Sequence, residues 1–96
     1  MVASSTFEII EKEGIEKLKF PSSEVLTDIE KIKERKTDLE RALALGNLEH
    51  TKIKIFFEDD TSRKVVETTV WGVTDKRVIL KQGVVIPIQR VHSIKL

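Results

Sequence analysis

The side chains of this chain that could do chemistry are mainly basic. Residues 49–96 hold nine lysines and arginines against six carboxylates, whereas residues 1–48 hold eight against ten. From position 76 onward no carboxylate occurs, and the basic residues there are Lys76, Arg77, Lys81, Arg90 and Lys95. Clustered basic residues favour a phosphate-bearing partner. The commoner explanation is that such residues keep strand edges soluble and prevent edge-to-edge pairing.

Sequence patterns for catalysis or metal binding are missing. No serine, histidine and aspartate are spaced as a nucleophile with its base, and His50 and His92 lack the spacing of a zinc pair. The acidic run 58–60 has no glycine of a calcium loop, so it is typical of a solvated turn. There is no cysteine for a disulfide or a thiolate site. We therefore predict a protein that is not an enzyme, with no catalytic residue, cofactor or metal.

Length and composition predict a single domain over residues 1–96. No apolar run approaches the ~18 residues of a membrane span, and we expect no membrane association. The beginning of the chain carries Glu8, Glu11 and Glu13 rather than a basic stretch followed by an apolar one. It therefore does not resemble a signal or transit peptide, and we expect a cytoplasmic protein.

The first half of the chain predicts helical structure. Residues 22–46 have apolar side chains at spacings of three and four, with Ser22 or Ser23 as N-cap and Gly46 as C-cap. Lys36 interrupts the apolar stripe and a capping box follows it, so the segment is either one helix or two. Residues 1–20 remain open between a helix weakened by Gly14 and two short extended pieces.

The second half of the chain predicts β-structure. In the first run Ile53, Ile55 and Phe57 alternate with polar residues, and four more short β-branched runs follow with turns between them. Gly72 would allow a sharp bend in the second strand, and Pro87 places the fourth strand at an edge or a break. Residues 50–96 therefore predict a five-stranded antiparallel SH3-like small barrel after an N-terminal helical segment, an α+β fold.

Residues 52–82, KIKIFFEDDTSRKVVETTVWGVTDKRVILKQ, followed by VVIPIQRVHSI, resemble the Sm-like barrel, in which a helix precedes five strands. The run DKRVIL at 75–80 resembles the acidic turn and apolar strand of bacterial Sm-like RNA chaperones. This resemblance implies RNA binding. The helix-plus-barrel order is also similar to antiterminator-type proteins that bind the terminator Rho, which implies a protein partner. The rhythm of VTDKRVIL and IPIQRVHSI resembles bacterial PH-like repeats as well.

Three apolar features bear on how the predicted strands are covered. We expect Trp71 to lie between the barrel and the helix, while Phe56 either packs under the helix or marks a contact patch. The fourth strand, with Val84 to Ile88, is apolar on both faces, so the N-terminal segment or another subunit must cover it. A homo-oligomer through that edge is one possibility. His92 is expected to be a partly buried core histidine.

Two hypotheses follow from these patterns. The first is a small binding or adaptor module that associates with another protein, which predicts a hydrophobic patch and salt-tolerant association. The alternative is an RNA-binding Sm-like protein that uses a basic strand face, with affinity that falls steeply with salt. In either case the predicted contact residues are Lys52, Lys54, Arg77, Lys81 and Arg90.

Overall fold

The computed structural model describes residues 6–96; residues 1–5 of the predicted N-terminal segment lie outside the described part. It is a small β-rich α+β domain with one long helix in the middle of the chain. The helix α1 spans Ile29–Glu49. The strands are β1 (Glu8–Ile9), β2 (Ile53–Glu58), β3 (Arg63–Thr68), β4 (Val70–Val73), β5 (Arg77–Leu80), β6 (Val85–Pro87) and β7 (Val91–Lys95).

The predicted five-stranded barrel is wrong: the strands of residues 6–96 form two open sheets. The first sheet has the order β1-β3-β2-β7 and the second has the order β4-β5-β6. Strand β1 runs parallel to β3, and all other described pairs are antiparallel. The alternation of apolar residues identifies individual strands, but it does not determine which strands pair with each other to form a sheet.

The long second strand of the prediction is divided at Thr69 rather than bent at Gly72. Thr69 lies between β3 and β4, and its carbonyl accepts a hydrogen bond from the Lys81 amide at 3.0 Å. The register of β4 against β5 then shifts between Val70 and Gly72, which leaves Trp71 as a bulge residue. Trp71 is 53% exposed, so the prediction that it lies between the strands and the helix is wrong.

Helix α1 is continuous through Lys36, and both predicted caps are wrong. Asp28, not Ser22 or Ser23, is the N-cap, because its carboxylate accepts the Glu30 amide at 2.9 Å. Gly46 lies inside the helix and is buried against β4, where an added Cβ would be 2.3 Å from the Val70 carbonyl oxygen. The glycine therefore allows close helix–strand approach, and His50 ends the helix in the left-handed conformation.

The core lies between the two sheets and under the helix. Its fully buried side chains include those that alternate along β2, namely Ile53, Ile55 and Phe57, with Leu39 from α1 and Ile86 from β6. A 3₁₀ turn over Lys12–Lys17 brings the buried Ile15 into this core and packs against β6. The N-terminal segment thus covers one face of the apolar fourth strand of the prediction, whereas Val85 on the other face is 38% exposed. The predicted homo-oligomer through that edge stays a prediction.

Candidate functional site

The five basic residues predicted as contacts do not form one surface. Lys52 and Lys54 are exposed at one end of the first sheet. Arg77 and Lys81 are exposed at opposite ends of β5 in the second sheet, about 13 Å apart along the strand. Arg90 is only 5% exposed. The structure therefore brings together Lys52 and Lys54, separates Arg77 from Lys81, and removes Arg90 from the surface.

Arg90 joins three segments of the chain. It ends the 3₁₀ turn before β7, and its Nε donates to the Glu58 carbonyl at 3.0 Å. Its Nη1 donates to the Ser23 carbonyl at 2.9 Å, and its Nη2 donates to the Asp59 carbonyl at 3.2 Å. A guanidinium can satisfy several acceptors at once because its donors form a planar fork. Arg90 is therefore a structural cross-link and not a contact for a partner.

Arg35 is a second buried guanidinium, which the sequence analysis did not single out. It forms a bidentate pair with Glu24, with both N–O distances at 2.7 Å, and it also donates to the Val91 carbonyl at 2.9 Å. Burial alone would raise the pKa of the Glu24 carboxyl, but hydrogen bonds from Arg35 and from the Leu26 amide lower that pKa below its ordinary value. This pair fastens the segment before α1 to the helix and to β7.

The acidic run 58–60 is not simply a solvated turn, because Asp59 is buried. The Asp59 carboxylate accepts the amides of Thr61 and Ser62 at 3.0 and 2.9 Å, and the Lys64 ammonium lies 3.2 Å away. Burial by itself raises the pKa of Asp59, and these hydrogen bonds outweigh it, so the pKa lies below the ordinary value.

Ser62 lies beside Lys64, a pairing that resembles a nucleophile with its base. The Lys64 ammonium donates to the Ser62 hydroxyl at 2.6 Å and to both oxygens of the Asp59 carboxylate at 3.2 Å. The Ser62 hydroxyl in turn donates to Glu8 of β1. A lysine that acts as a base needs a free lone pair, and here the amine is held as a hydrogen-bond donor. The cluster fixes the β2–β3 turn to β1.

Three lysines on the outer side of the first sheet form its most positive region. Lys54 of β2 is paired directly with Lys95 of β7, and Lys52 lies two residues before Lys54, with the same side-chain direction. Within residues 6–96 none of these three ammonium groups lies within 4.0 Å of a carboxylate. The Lys54 and Lys95 side chains line a cleft of about 150 Å³ together with Lys52, Glu67 and Leu96.

An apolar groove adjoins the lysine cleft on the same side of the sheet. It has a volume of about 430 Å³ and is lined by Phe7, Ile9, Phe56 and Val65, and it shares Lys54 and Glu67 with the cleft. Phe56 does not pack under the helix; its ring meets Phe7 edge-on, with centroids 5.1 Å apart. We call the combined surface the lysine–aromatic face; it consists of Lys52, Lys54, Lys95, Phe7, Ile9, Phe56 and Val65.

His92 lies beside this face and is partly buried, as expected from the sequence. Its Nε2 is 2.8 Å from the Glu58 carboxylate, and its ring contacts Phe7 edge-on at 5.7 Å. The histidine is thus held by one carboxylate and one aromatic ring. In the part of the chain that the structure describes, no group of three metal-binding side chains could hold an ion.

A second groove lies between α1 and the hairpin formed by β4 and β5. Its volume is about 560 Å³. The apolar lining comes from both elements and from the turn before β7, and charged side chains surround it. We call it the helix–hairpin groove; its apolar residues are Ile32, Leu39, Leu43, Val73 and Ile88, and its rim includes Lys33, Lys36, Glu40 and Asp75.

The chain matches no protein-family model, and neither a curated protein nor a solved structure is significantly similar to it. Among residues 6–96, no helix has both the length and the hydropathy to cross a bilayer. The function must therefore be argued from the two surfaces themselves.

Neither the helix–hairpin groove nor the structural role of Arg35 and Arg90 is predicted from the sequence. One signal was available for the groove: Leu39 and Leu43 are four residues apart and share a helix face. The opposing wall, with Val73 and Ile88, could not be assigned to that face without the tertiary structure. Lys95 was noted only as part of a basic run, and its pairing with Lys54 depends on the register of β7.

Proposed function

We propose that this protein is a non-enzymatic protein-interaction module whose partner binds in the helix–hairpin groove. The observation that carries the proposal is that Leu43, Val73 and Ile88 remain only partly buried around a space of about 560 Å³. Clefts of roughly 300–1,000 Å³ with apolar linings are the usual binding sites of proteins. A partner that filled the groove would remove these side chains from water.

The rim of the groove indicates the chemistry of the partner. Lys33 and Lys36 lie along the helix wall, and Lys76 and Arg77 follow Asp75 in the hairpin turn. The Lys76 carbonyl accepts the Ile88 amide at 2.9 Å, which keeps this turn beside the groove. On the rim itself Lys33 and Lys36 are balanced by Glu40 and Asp75, and Lys76 and Arg77 next to Asp75 add a positive excess beside the groove. This excess favours a short amphipathic segment with an apolar anchor and acidic flanks.

Binding to RNA stays a competing prediction. A phosphate-contacting protein needs basic side chains on one accessible surface, and of the five predicted contacts Arg90 is buried and Arg77 and Lys81 are about 13 Å apart, so only Lys52 and Lys54 lie together, beside Lys95. Single-strand binders also stack bases on several exposed aromatic rings, whereas Phe7 and Phe56 pack against each other and the exposed Trp71 lies on the other sheet. These observations favour the protein partner.

The proposal can be tested by selecting peptides from a random displayed library on the whole protein. Selected peptides are then measured by fluorescence anisotropy against Leu43→Gln, with Leu48→Gln as the matched control on the same helix. Leu48 is 81% exposed and does not line the groove. We expect apolar peptides with acidic flanks, at least about tenfold weaker binding to Leu43→Gln, and less than about twofold change for Leu48→Gln.

Peptides that bind Leu43→Gln as well as they bind the unmodified protein would place recognition outside the groove and overturn the proposal. Tighter binding of a mixed-sequence single-stranded RNA, with affinity that falls along a log–log line with salt, would favour the competing prediction. Circular dichroism of both variants separates a local effect from a loss of folding.

A further inference from the structure

Three positive charges lie close together on the lysine–aromatic face, and their mutual repulsion does not stabilise the fold. Lys54 and Lys95 are directly opposite each other on neighbouring strands, and like charges in that position are destabilising. Lys52 adds a third positive charge on the same side, whereas Glu67, across from Lys54 on β3, supplies one negative charge. The region therefore has a local excess of two positive charges, and a bound anionic group would relieve the repulsion.

The apolar half of this face is exposed at Ile9 and partly buried at Phe7, Phe56 and Val65. Ile9 is 85% exposed, and Phe7, Phe56 and Val65 form the rest of the adjoining groove. Because the groove and the lysine cleft share two lining residues, a single ligand could extend from one into the other. Phe56 and Lys54 are two residues apart on β2, a spacing of about 6.7 Å. An extended polypeptide has the same repeat between alternate side chains.

We propose that the lysine–aromatic face is a second docking surface, which binds an extended acidic segment of a partner protein. The segment has an apolar side chain over the groove of Phe7, Ile9 and Phe56, followed at alternate positions by aspartates or glutamates, the first between Lys54 and Lys95 and the next beside Lys52. The face shares no lining residue with the helix–hairpin groove. The protein would then be an adaptor with two independent sites.

A polypeptide fits this face better than a nucleic acid does. The edge-on packing of Phe7 and Phe56, with an interplanar angle of 76°, makes a pocket for one apolar side chain. It does not make a row of ring faces for successive bases.

The test uses two fluorescein-labelled peptides and the whole protein. One peptide has a leucine followed at alternate positions by glutamates, and the other has lysines in place of the glutamates. The double variant Lys54→Glu/Lys95→Glu is compared with Lys17→Glu/Lys19→Glu, which changes the net charge equally at exposed positions that line neither the lysine–aromatic face nor the helix–hairpin groove. We expect the acidic peptide to bind, the first variant to weaken it at least about tenfold, and the control to weaken it less than about threefold.

Two further results are expected. The Lys54→Glu/Lys95→Glu variant should bind the lysine peptide better than the unmodified protein does, which an unfolded variant would not do. Ile9→Ala, at an exposed position, should weaken the acidic peptide by about two- to fivefold through lost apolar contact. Rising salt should weaken binding, because the lysines are exposed.

If both double variants lost equal affinity for the acidic peptide, the peptide would be attracted by the overall charge of the protein, and the proposal would be overturned. No binding of the acidic peptide at low salt, or tighter binding of a single-stranded RNA than of the peptide, would also overturn it. None of these results affects the peptide selection for the helix–hairpin groove, because that selection is tested with Leu43→Gln and the lysine–aromatic face is tested with substitutions at other residues. Failure of one site is therefore distinguishable from failure of the other.

Discussion

The buried guanidinium groups and the exposed ammonium groups of this protein have opposite environments. Arg35 and Arg90 are each 5% exposed, and both donate hydrogen bonds to backbone carbonyls from distant parts of the chain. Lys52, Lys54 and Lys95 are exposed, and within residues 6–96 no carboxylate lies within 4.0 Å of their ammonium groups. The charged groups of the arginines form hydrogen bonds inside the fold, whereas those of these lysines are accessible to a partner.

The difference follows from the chemistry of the two side chains. A guanidinium has five donors in a rigid plane and is weakly hydrated, so it can replace water around several carbonyl groups. An ammonium is a compact and strongly hydrated charge, and it is retained at the surface unless a carboxylate compensates it. Lys64 obeys the same rule, since it is buried only beside Asp59. The type of basic residue therefore separates structural from accessible charge in this molecule.

Removing the buried charge of Arg90 should have the largest effect. Arg90→Ala leaves the carbonyls of Ser23, Glu58 and Asp59 without their donor. We expect the free energy of unfolding to fall by about 3 kcal/mol. Urea denaturation, monitored by circular dichroism, measures this change. The exposed Arg77→Ala should change the free energy of unfolding by less than about 0.5 kcal/mol. Equal effects of the two substitutions would contradict the contrast between buried and exposed charge.

Acid should weaken the two hydrogen-bond networks that contain Glu24 and Asp59. The pKa values of Glu24 and Asp59 lie below their ordinary values, so the folded protein binds fewer protons at these groups than the unfolded chain does. The two carboxylates contribute fully to the free energy of unfolding above the ordinary carboxyl pKa of about 4. This contribution is lost as the pH falls through their lower pKa values in the folded protein. The free energy of unfolding should therefore decrease below about pH 4.

The pH dependence can be assigned with Asp59→Asn and Glu24→Gln. Each variant removes one titrating group, so the slope of unfolding free energy against pH should become shallower in acid. The neighbouring Asp60→Asn, at an exposed position, serves as the matched control. Slopes that stay identical in all three variants would show that the acid sensitivity comes from other carboxyl groups.

The smallest effect concerns the lysine–aromatic face and has the opposite sign. Lys95→Glu replaces a like-charge pair with Lys54 by an attractive one, so the fold should become more stable by about 0.2–1 kcal/mol. The same substitution should weaken the acidic peptide. A gain in stability together with a loss of peptide binding would show that the charge of Lys95 serves binding. A loss of stability would instead show that Lys95 has a structural role, as Arg35 and Arg90 do.

The sequence predicted individual strands better than their assembly. Alternation along 53–57 identified β2 and its buried face, since side-chain direction depends only on the local backbone. The division at Thr69 depends on a hydrogen bond from Lys81, twelve residues away, and no local pattern encodes it. The start of α1 was wrong because Ser22, Ser23 and Asp28 are all capable caps, and the pairing of Glu24 with Arg35 holds the earlier segment outside the helix.

The candidate site was predicted only in part, for a related reason. Residue type and spacing identified Lys52 and Lys54 as exposed charges on one strand face. They gave no means to distinguish Arg90 from Arg77, because burial of an arginine is decided by which carbonyls surround it. The helix–hairpin groove likewise requires a helix face and a hairpin from separate parts of the chain.

Trp71 has a practical consequence for spectroscopy. It is the single tryptophan of the sequence, and it lies half-exposed at a bulge on an edge strand rather than in the core. Its emission in the native protein should already be close to that of an indole in water, so denaturation will change the fluorescence spectrum little. The indole is better suited as a built-in label for collisional quenching, which would report contacts made at the β4 edge without any attached dye.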